Sequence, residues 1–253
     1  LQSGLQSLTL PFLTLLMPMF SDLRARGHHE EVVRRFALST RVALQLTLPL
    51  AFGLALFAPE AVDLWLGDEA PAVTADIIVV LMAAQTISIT ATPAEKLLVG
   101  VGRVKAIGAL AVVEGLSNLT LSIVLIHAYG AIGAALGTLM TSGVLTPIKV
   151  PLACRATGAR PGDFLLRGVM PAVLSSLPGI GAMLAVYGLL SEGSLRLLVG
   201  LAVGLGLPAA IATGQVGIGR LAELARSATG GRGQRTLQLE SEPPAESPIG
   251  AVP

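Results

Sequence analysis

Apolar residues run in long blocks along the chain, separated by short polar connections. Seven blocks can be drawn, roughly Leu5–Phe20, Leu38–Phe57, Val73–Leu97, Ala106–His127, Gly130–Val150, Val169–Leu190 and Leu195–Gln215. Each complete block has about the 20 residues that a helix needs to cross about 30 Å of hydrocarbon. The short alternating strands of an outer-membrane barrel give a different pattern. The blocks predict an all-α fold, a polytopic transmembrane helix bundle. Residues 1–154 hold the first five spans, with the first one incomplete. Residues 155–215 hold an extra pair of spans. Residues 216–253 form a tail, in which Ile218, Leu221 and Leu224 share one face of a short interfacial helix. From Ser227 onward Gly, Pro, Ser and Glu dominate, the composition of a disordered segment.

Charge placement tests this drawing. Only 13% of the residues are charged, about half of what a soluble domain carries. Arg24, Arg26, Arg34, Arg35 and Arg41 fall in or beside the first connection, and Lys96, Arg103 and Lys105 in or beside the third. Lys149, Arg155, Arg160 and Arg167 fall in the fifth, and Arg220, Arg226, Arg232 and Arg235 in the tail. Of the 17 basic residues only Arg196 lies on an intervening connection, the sixth. The second, "APEAVDLWLGDEAP", carries acids alone. Positive residues collect on the cytoplasmic side of inner membranes, so the basic connections and the C-terminus are assigned to the cytoplasm. Trp65 and Tyr129 then fall at the outer interface. Val62, Leu64 and Leu66 are expected to lie against the bilayer there.

The remaining composition narrows the chemistry. A net charge of +1 leaves no electrostatic footprint for nucleic acid. Cys154 is the single cysteine, which excludes an internal disulfide framework, and no zinc-ligand spacing occurs. "GHHEE" (27–31) does not place two histidines on one helical face, so it reads as a solvated loop. "GIG" at 179–181 and 217–219 lacks the third glycine of a dinucleotide loop. No triad, carboxylate pair or phosphate loop is present, so no enzyme activity, cofactor or metal is expected. Residue 1 is Leu, and the first apolar block starts without a basic n-region or a cleavage site. The chain is therefore expected to be part of something longer.

Polar residues inside the spans are the candidate functional groups. Glu114, Ser117, Asn118 and Ser122 share one face of the fourth span. Gln85, Ser88, Thr92 and Glu95 share one face of the third. Two such stripes on antiparallel neighbours either meet or line a common cavity. Glu114 is accordingly either part of a transport pathway or half of a Glu–Asn hydrogen-bond clamp. The sequon "NLT" at 118–120 lies in mid-span and carries no weight. Pro11, Pro18, Pro49, Pro93 and Pro178 are expected to break their spans. Gly133 with Gly137, and Gly200 with Gly204, have the spacing that lets helices approach closely.

Two stretches carry a family resemblance. "MPMFSDLRARGHHEEVVRRFALSTRVALQLTLPLAFGLALFAPEAVDLWLG" has a proline-kinked helix end, a basic loop, a span with an internal "LP" and an acidic turn ending in "WLG". "LLVGVGRVKAIGALAVVEGLSNLTLSIVLIHAYGAIGAALGTLM" adds a glycine–arginine turn, an E-x-x-x-N span and a "YG-x-x-GAALGT" helix start. Over residues 10–155 the chain resembles polysaccharide flippases of the multidrug/oligosaccharidyl-lipid/polysaccharide exporter superfamily, most closely the lipopolysaccharide and O-antigen branch. The resemblance implies a two-lobe fold, of which this chain is the C-terminal lobe plus an extra helix pair, with the N-terminal lobe missing. It implies alternating-access transport of a lipid-linked glycan through a cavity between the lobes, in the cell inner membrane. Arg34, Arg35, Arg41, Arg103 and Lys105 are the candidates for the pyrophosphate of the head group, although membrane topology alone also places basic residues there. Gln85, Ser88, Thr92, Glu114 and Asn118 are the pathway candidates. No Arg or Lys lies deep in a span on this drawing, so a deep phosphate clamp is expected from the missing lobe. A cation-coupled drug or small-molecule antiporter of the same superfamily, a non-transporting membrane scaffold and an integral-membrane glycosyltransferase are the competing functions. The last lacks an acidic or metal motif in its only acidic outer loop.

Overall fold

The computed structural model describes residues 16–67, 70–190, 193 and 195–206, and every structural statement below concerns these residues. Contacts divide the chain into Leu1–Ala210 and Ile211–Pro253. All described residues belong to the first unit. The tail assigned to 216–253, Pro11 and the outer parts of the first and last spans lie outside the described residues.

Helices account for the whole described architecture, with no strand among them. They are α1 (Leu16–Ala25), α2 (His29–Leu56), α3 (Ala58–Leu66), α4 (Val73–Gly100), α5 (Val104–Tyr129) and α6 (Ile132–Thr157). α7 (Pro161–Leu189) contains a π-helical stretch at Leu165–Val169, and α8 covers Leu195–Gly206. Four of them, α2, α4, α5 and α7, are long and apolar enough to cross a membrane. The fifth sequence block becomes α6, which is 26 residues long but is not among those four. Its Gly, Ser, Thr and Pro content and Lys149 lower its hydropathy. Neighbours on two sides cover that polarity.

Packing runs across the bundle in the order α7, α2, α4, α6, α5, with α1 against α4. Phe20, Phe36, Leu97, Leu98, Ala153, Cys154 and Phe164 form the core near one end, where the Phe36 and Phe164 rings stack with centroids 4.7 Å apart. Phe57, Met183 and Leu197 form a smaller cluster, near Tyr187, whose ring centroid lies 5.9 Å from that of Phe57. α5 contributes no buried residue. Val112, Val113, Leu116, Leu119, Ile123 and Val124 all face outward from it. A helix in hydrocarbon gains little by hiding leucine, because lipid is as apolar as leucine. Close van der Waals packing and interhelical hydrogen bonds hold such helices together instead.

The glycines of α6 provide that close packing. A Cβ on Gly137 would lie 2.6 Å from Ser122 Oγ, and one on Gly133 would overlap the Leu125 carbonyl. The Gly200 and Gly204 pair acts similarly, against the Phe57 ring and the Met183 side chain. Gly102 (φ +81°) and Gly130 (φ +67°) make the tight turns that set α4, α5 and α6 antiparallel. Both turns need left-handed backbone, which costs glycine little.

Two expectations change at the level of local structure. Pro49, Pro93 and Pro178 lie inside continuous helices rather than at breaks, as do Pro147 and Pro151. A packed membrane helix absorbs the lost N–H through its neighbours and small local adjustments. The acidic connection does form a short helix, α3, but Val62 is buried in it while Leu64, Trp65 and Leu66 are exposed.

Gly133→Ala should lower stability by about 1–3 kcal/mol through forced separation of α5 and α6. Gly115→Ala, which meets open space, should be neutral or stabilise by up to about 1 kcal/mol through helix propensity. Unfolding of the two variants in lipid nanodiscs checks this, and equal stability of both would refute the close-packing role.

Candidate functional site

Lys149 lies on the face of α6 that also carries Thr138, Ser142 and Leu145, spaced for one helical side. That side points between α4 and α5, which pack on α6 far more than on each other. The stretch from Lys149 to Thr157 puts the lysine about 12 Å inside the helix end at 1.5 Å per residue. Its Nζ donates to Glu95 Oε1 on α4 at 2.6 Å and to Glu114 Oε2 on α5 at 2.5 Å. The lysine side chain is 5% exposed, against 33% for Glu95 and 31% for Glu114. The ammonium is thus covered, and the two carboxylates reach toward the surface from either side.

An isolated ammonium among apolar helices costs several kcal/mol even after relaxation, so it needs carboxylate partners. Two carboxylates on one ammonium leave one surplus negative charge when all three are ionised. A proton or a small cation is the chemical species that neutralises it. The cluster ties α4, α5 and α6 together.

Hydrogen bonds extend the same seam. Asn118 Oδ1 accepts from the Ser122 hydroxyl of its own helix at 3.0 Å, and from the Thr138 hydroxyl at 3.4 Å, which joins α5 to α6. Thr146 Oγ1 lies 3.4 Å from the Ile87 carbonyl, joining α6 to α4. Among the other pathway candidates, Gln85 is buried on α4, and Ser88 and Thr92 are half-buried there. The Thr92 hydroxyl turns back to the Ser88 carbonyl at 3.4 Å.

The two predicted stripes therefore do not meet face to face, because α6 stands between them. Glu114 and Asn118 also have separate partners, which replaces the expected Glu–Asn clamp with a Glu–Lys–Glu bridge. Lys149 is the residue that sequence reading misplaced. The sequence pattern places it in the fifth connection, whereas the structure puts this basic residue well inside a helix. The helix continues to Thr157, so the lysine is inside it. A signal was present: between Glu114 and Arg155 no other Asp, Glu, Lys or Arg occurs, and Lys149 is flanked by "TPI" and "VPLA".

The head-group candidates fall into three environments. Arg34 and Arg35 sit in the hydrophilic first turns of α2 and both pair with Glu31 at 2.6 Å. Arg41 is half-buried farther along α2. Arg103 caps α5 and Lys105 lies in its first turn, both exposed. Arg24, His29, Val32, Val101, Ala156 and Thr157 line one small cleft. It brings the first, third and fifth connections to one end of the bundle. Arg196, placed by sequence in the sixth connection, is the exception. It lies in the first turn of α8, buried and hydrogen-bonded to Glu60 of α3. No group of three metal-ligating side chains occurs among the described residues.

Comparison with known proteins adds no relative: no family model, curated protein or solved structure matches the chain.

Removing one partner from a buried ion pair is costly, while removing all of them is often neutral. Lys149→Met should therefore destabilise by about 3 kcal/mol. Adding Glu95→Gln and Glu114→Gln should restore most of that loss. Unfolding midpoints of the single and triple variants decide it, and a single variant as stable as the parent would show that the bridge holds nothing.

Proposed function

We propose that this chain is one lobe of a membrane transporter that moves lipid-linked oligosaccharide or polysaccharide precursors across the cytoplasmic membrane by alternating access. The observation that carries the transport reading is the Glu95–Lys149–Glu114 cluster. Ionisable groups within apolar helices are expensive and mark pathways or coupling sites by default. The substrate class is supported by the resemblance of residues 10–155 to polysaccharide flippases and exporters.

In this mechanism the glycan head group loads at the end of the bundle that holds the basic connections, which is the cytoplasmic end by the positive-inside rule. Arg34, Arg35, Arg103 and Lys105 are exposed there. Their charges attract the pyrophosphate, and Arg34 and Arg35 exchange Glu31 for phosphate oxygen, a stronger bidentate partner. The head group crosses a polar cavity formed with a second, N-terminal lobe while the lipid tail stays in the bilayer. Opening and closing of that cavity is biased by the charge on the Glu95–Lys149–Glu114 cluster. A proton or cation that neutralises the surplus carboxylate loosens the bridge and shifts the balance between states.

A second reading, a cation-coupled drug or small-molecule antiporter, is favoured by the same surplus charge. The two differ in substrate rather than in the role of Glu114.

Export assays separate these readings. In cells whose glycan exporter has been deleted, the full-length protein should restore surface glycan. Glu114→Gln should reduce that export at least about tenfold, the effect of about 1.4 kcal/mol, with membrane insertion unchanged. Full export by Glu114→Gln would end the coupling role. Cation-coupled drug efflux without glycan export would favour the antiporter.

Orientation has its own test, in a Cys154→Ala background. Asp63→Cys should react with a membrane-impermeant thiol reagent in intact cells, and Arg103→Cys should react only after lysis. The opposite labelling would invert the topology.

A further inference from the structure

The turn between α6 and α7 joins unpaired positive charge to exposed apolar surface. Gly158 ends α6 in left-handed backbone (φ +75°), Arg160 is extended, and Pro161 starts α7. Phe164 and Gly168 then face inward. The Phe164 ring stacks on Phe36, and a Cβ on Gly168 would lie 3.2 Å from the Ala37 carbonyl oxygen. The π-helical stretch Leu165–Val169 widens the turn between these two anchors. Leu165, Leu166 and Arg167 therefore all face outward, the leucines 54% and 62% exposed.

Arg155, Arg160 and Arg167 are exposed, and Asp163 is the one acid between them in the chain. None of the three guanidiniums forms an ion pair among the described residues. Arg26, Arg34, Arg35 and Arg196, in contrast, each have a carboxylate partner. Arg167 lies about 9 Å along α7 from Pro161, within a helix long and apolar enough to cross a membrane. A guanidinium on the outside of such a helix extends its stem along apolar surface and places its charge at the level of the lipid phosphates. Below it Leu166, Met170, Leu174 and Leu177, spaced i, i+4, i+8 and i+11, form one exposed apolar stripe. Phosphate at the arginines and acyl chain along the stripe are two parts of one molecule. Membrane topology by itself asks only for positive charge in the connection. It does not ask for an arginine inside the helix beside two outward leucines.

We infer that the start of α7 holds an anionic phospholipid, with its phosphate at Arg160 and Arg167 and its acyl chains along Leu166, Met170, Leu174 and Leu177. Arg155, in the last turn of α6, adds attraction. A zwitterionic phospholipid brings its own cation up to these arginines and binds less well. Free phosphate gains nothing from the apolar stripe. The site is separate from Arg34, Arg35, Arg103 and Lys105 and stands whether or not the chain transports glycans. Failure of the lipid titration below leaves the Glu114 export assay untouched, and the converse holds.

The purified full chain in detergent is titrated with phosphatidylglycerol or phosphatidylcholine, and the lipid-bound fraction is read by native mass spectrometry. Phosphatidylglycerol is expected to bind at least about tenfold more tightly, since each basic group near an anionic head group contributes about fivefold. Arg160→Gln with Arg167→Gln should remove at least about tenfold of that affinity by the same reckoning, and leave phosphatidylcholine within about threefold. Arg24→Gln with Arg26→Gln removes equal charge from the end of α1 and should leave phosphatidylglycerol within about threefold. Leu166→Glu sets a carboxylate against the phosphate at an exposed position. It should weaken phosphatidylglycerol binding about tenfold even if the arginine variants fail to fold. Equal binding of the two lipids, displacement of phosphatidylglycerol by millimolar inorganic phosphate, an equal loss in the α1 control or unchanged affinity in Leu166→Glu would overturn the proposal.

Discussion

A single ammonium group inside an apolar bundle sets the arrangement of three helices. Lys149 is tolerated in α6 because Glu95 and Glu114 reach it from opposite neighbours. That requirement puts α4 and α5 on two sides of α6 and fixes how far each slides along it. A shift of one turn, about 5.4 Å, would pull a carboxylate out of bonding range. The short contacts lower in the seam agree with the same register. Gly133 and Gly137 let α5 close onto α6, where Asn118 meets Thr138 and Ser122 meets the Ala134 carbonyl. Charge, small residues and hydrogen bonds all specify one docking, and such agreement is the mark of a sequence with one preferred packing.

Charge is distributed unevenly along the bundle axis, and each location has its own physical consequence. At one end the basic residues are exposed or paired in water, as Arg34 and Arg35 are with Glu31. Exposed pairs of this kind contribute little stability. At the other end a single basic residue, Arg196, is covered by Glu60 and Tyr187. Between the two ends lies the glutamate–lysine bridge, with more carboxylate than ammonium.

Much of this was legible in the residues. Apolar blocks of membrane length gave the helices, since a chain in hydrocarbon has to satisfy its backbone internally. The polar stripes were visible because a helical period of 3.6 aligns Glu114 with Asn118 and Gln85 with Glu95. The close-packing glycines of α6 were visible from their spacing alone. Helix ends were less legible. A lysine next to two prolines resembles a loop, and only neighbours that supply carboxylates make it a core residue.

What the sequence by itself determined is therefore local: helical state, amphipathic faces, turn glycines and the alternation of charge between connections. These depend on residues a few positions apart. What only the tertiary structure decided is which of those groups touch: that α6 stands between the two stripes, that Lys149 rather than Asn118 is the partner of Glu114, and that Arg196 folds inward onto Glu60. Such pairings join residues far apart in the chain. Their energy depends on burial and on the third helix present, neither of which the spacing of residues along one helix encodes.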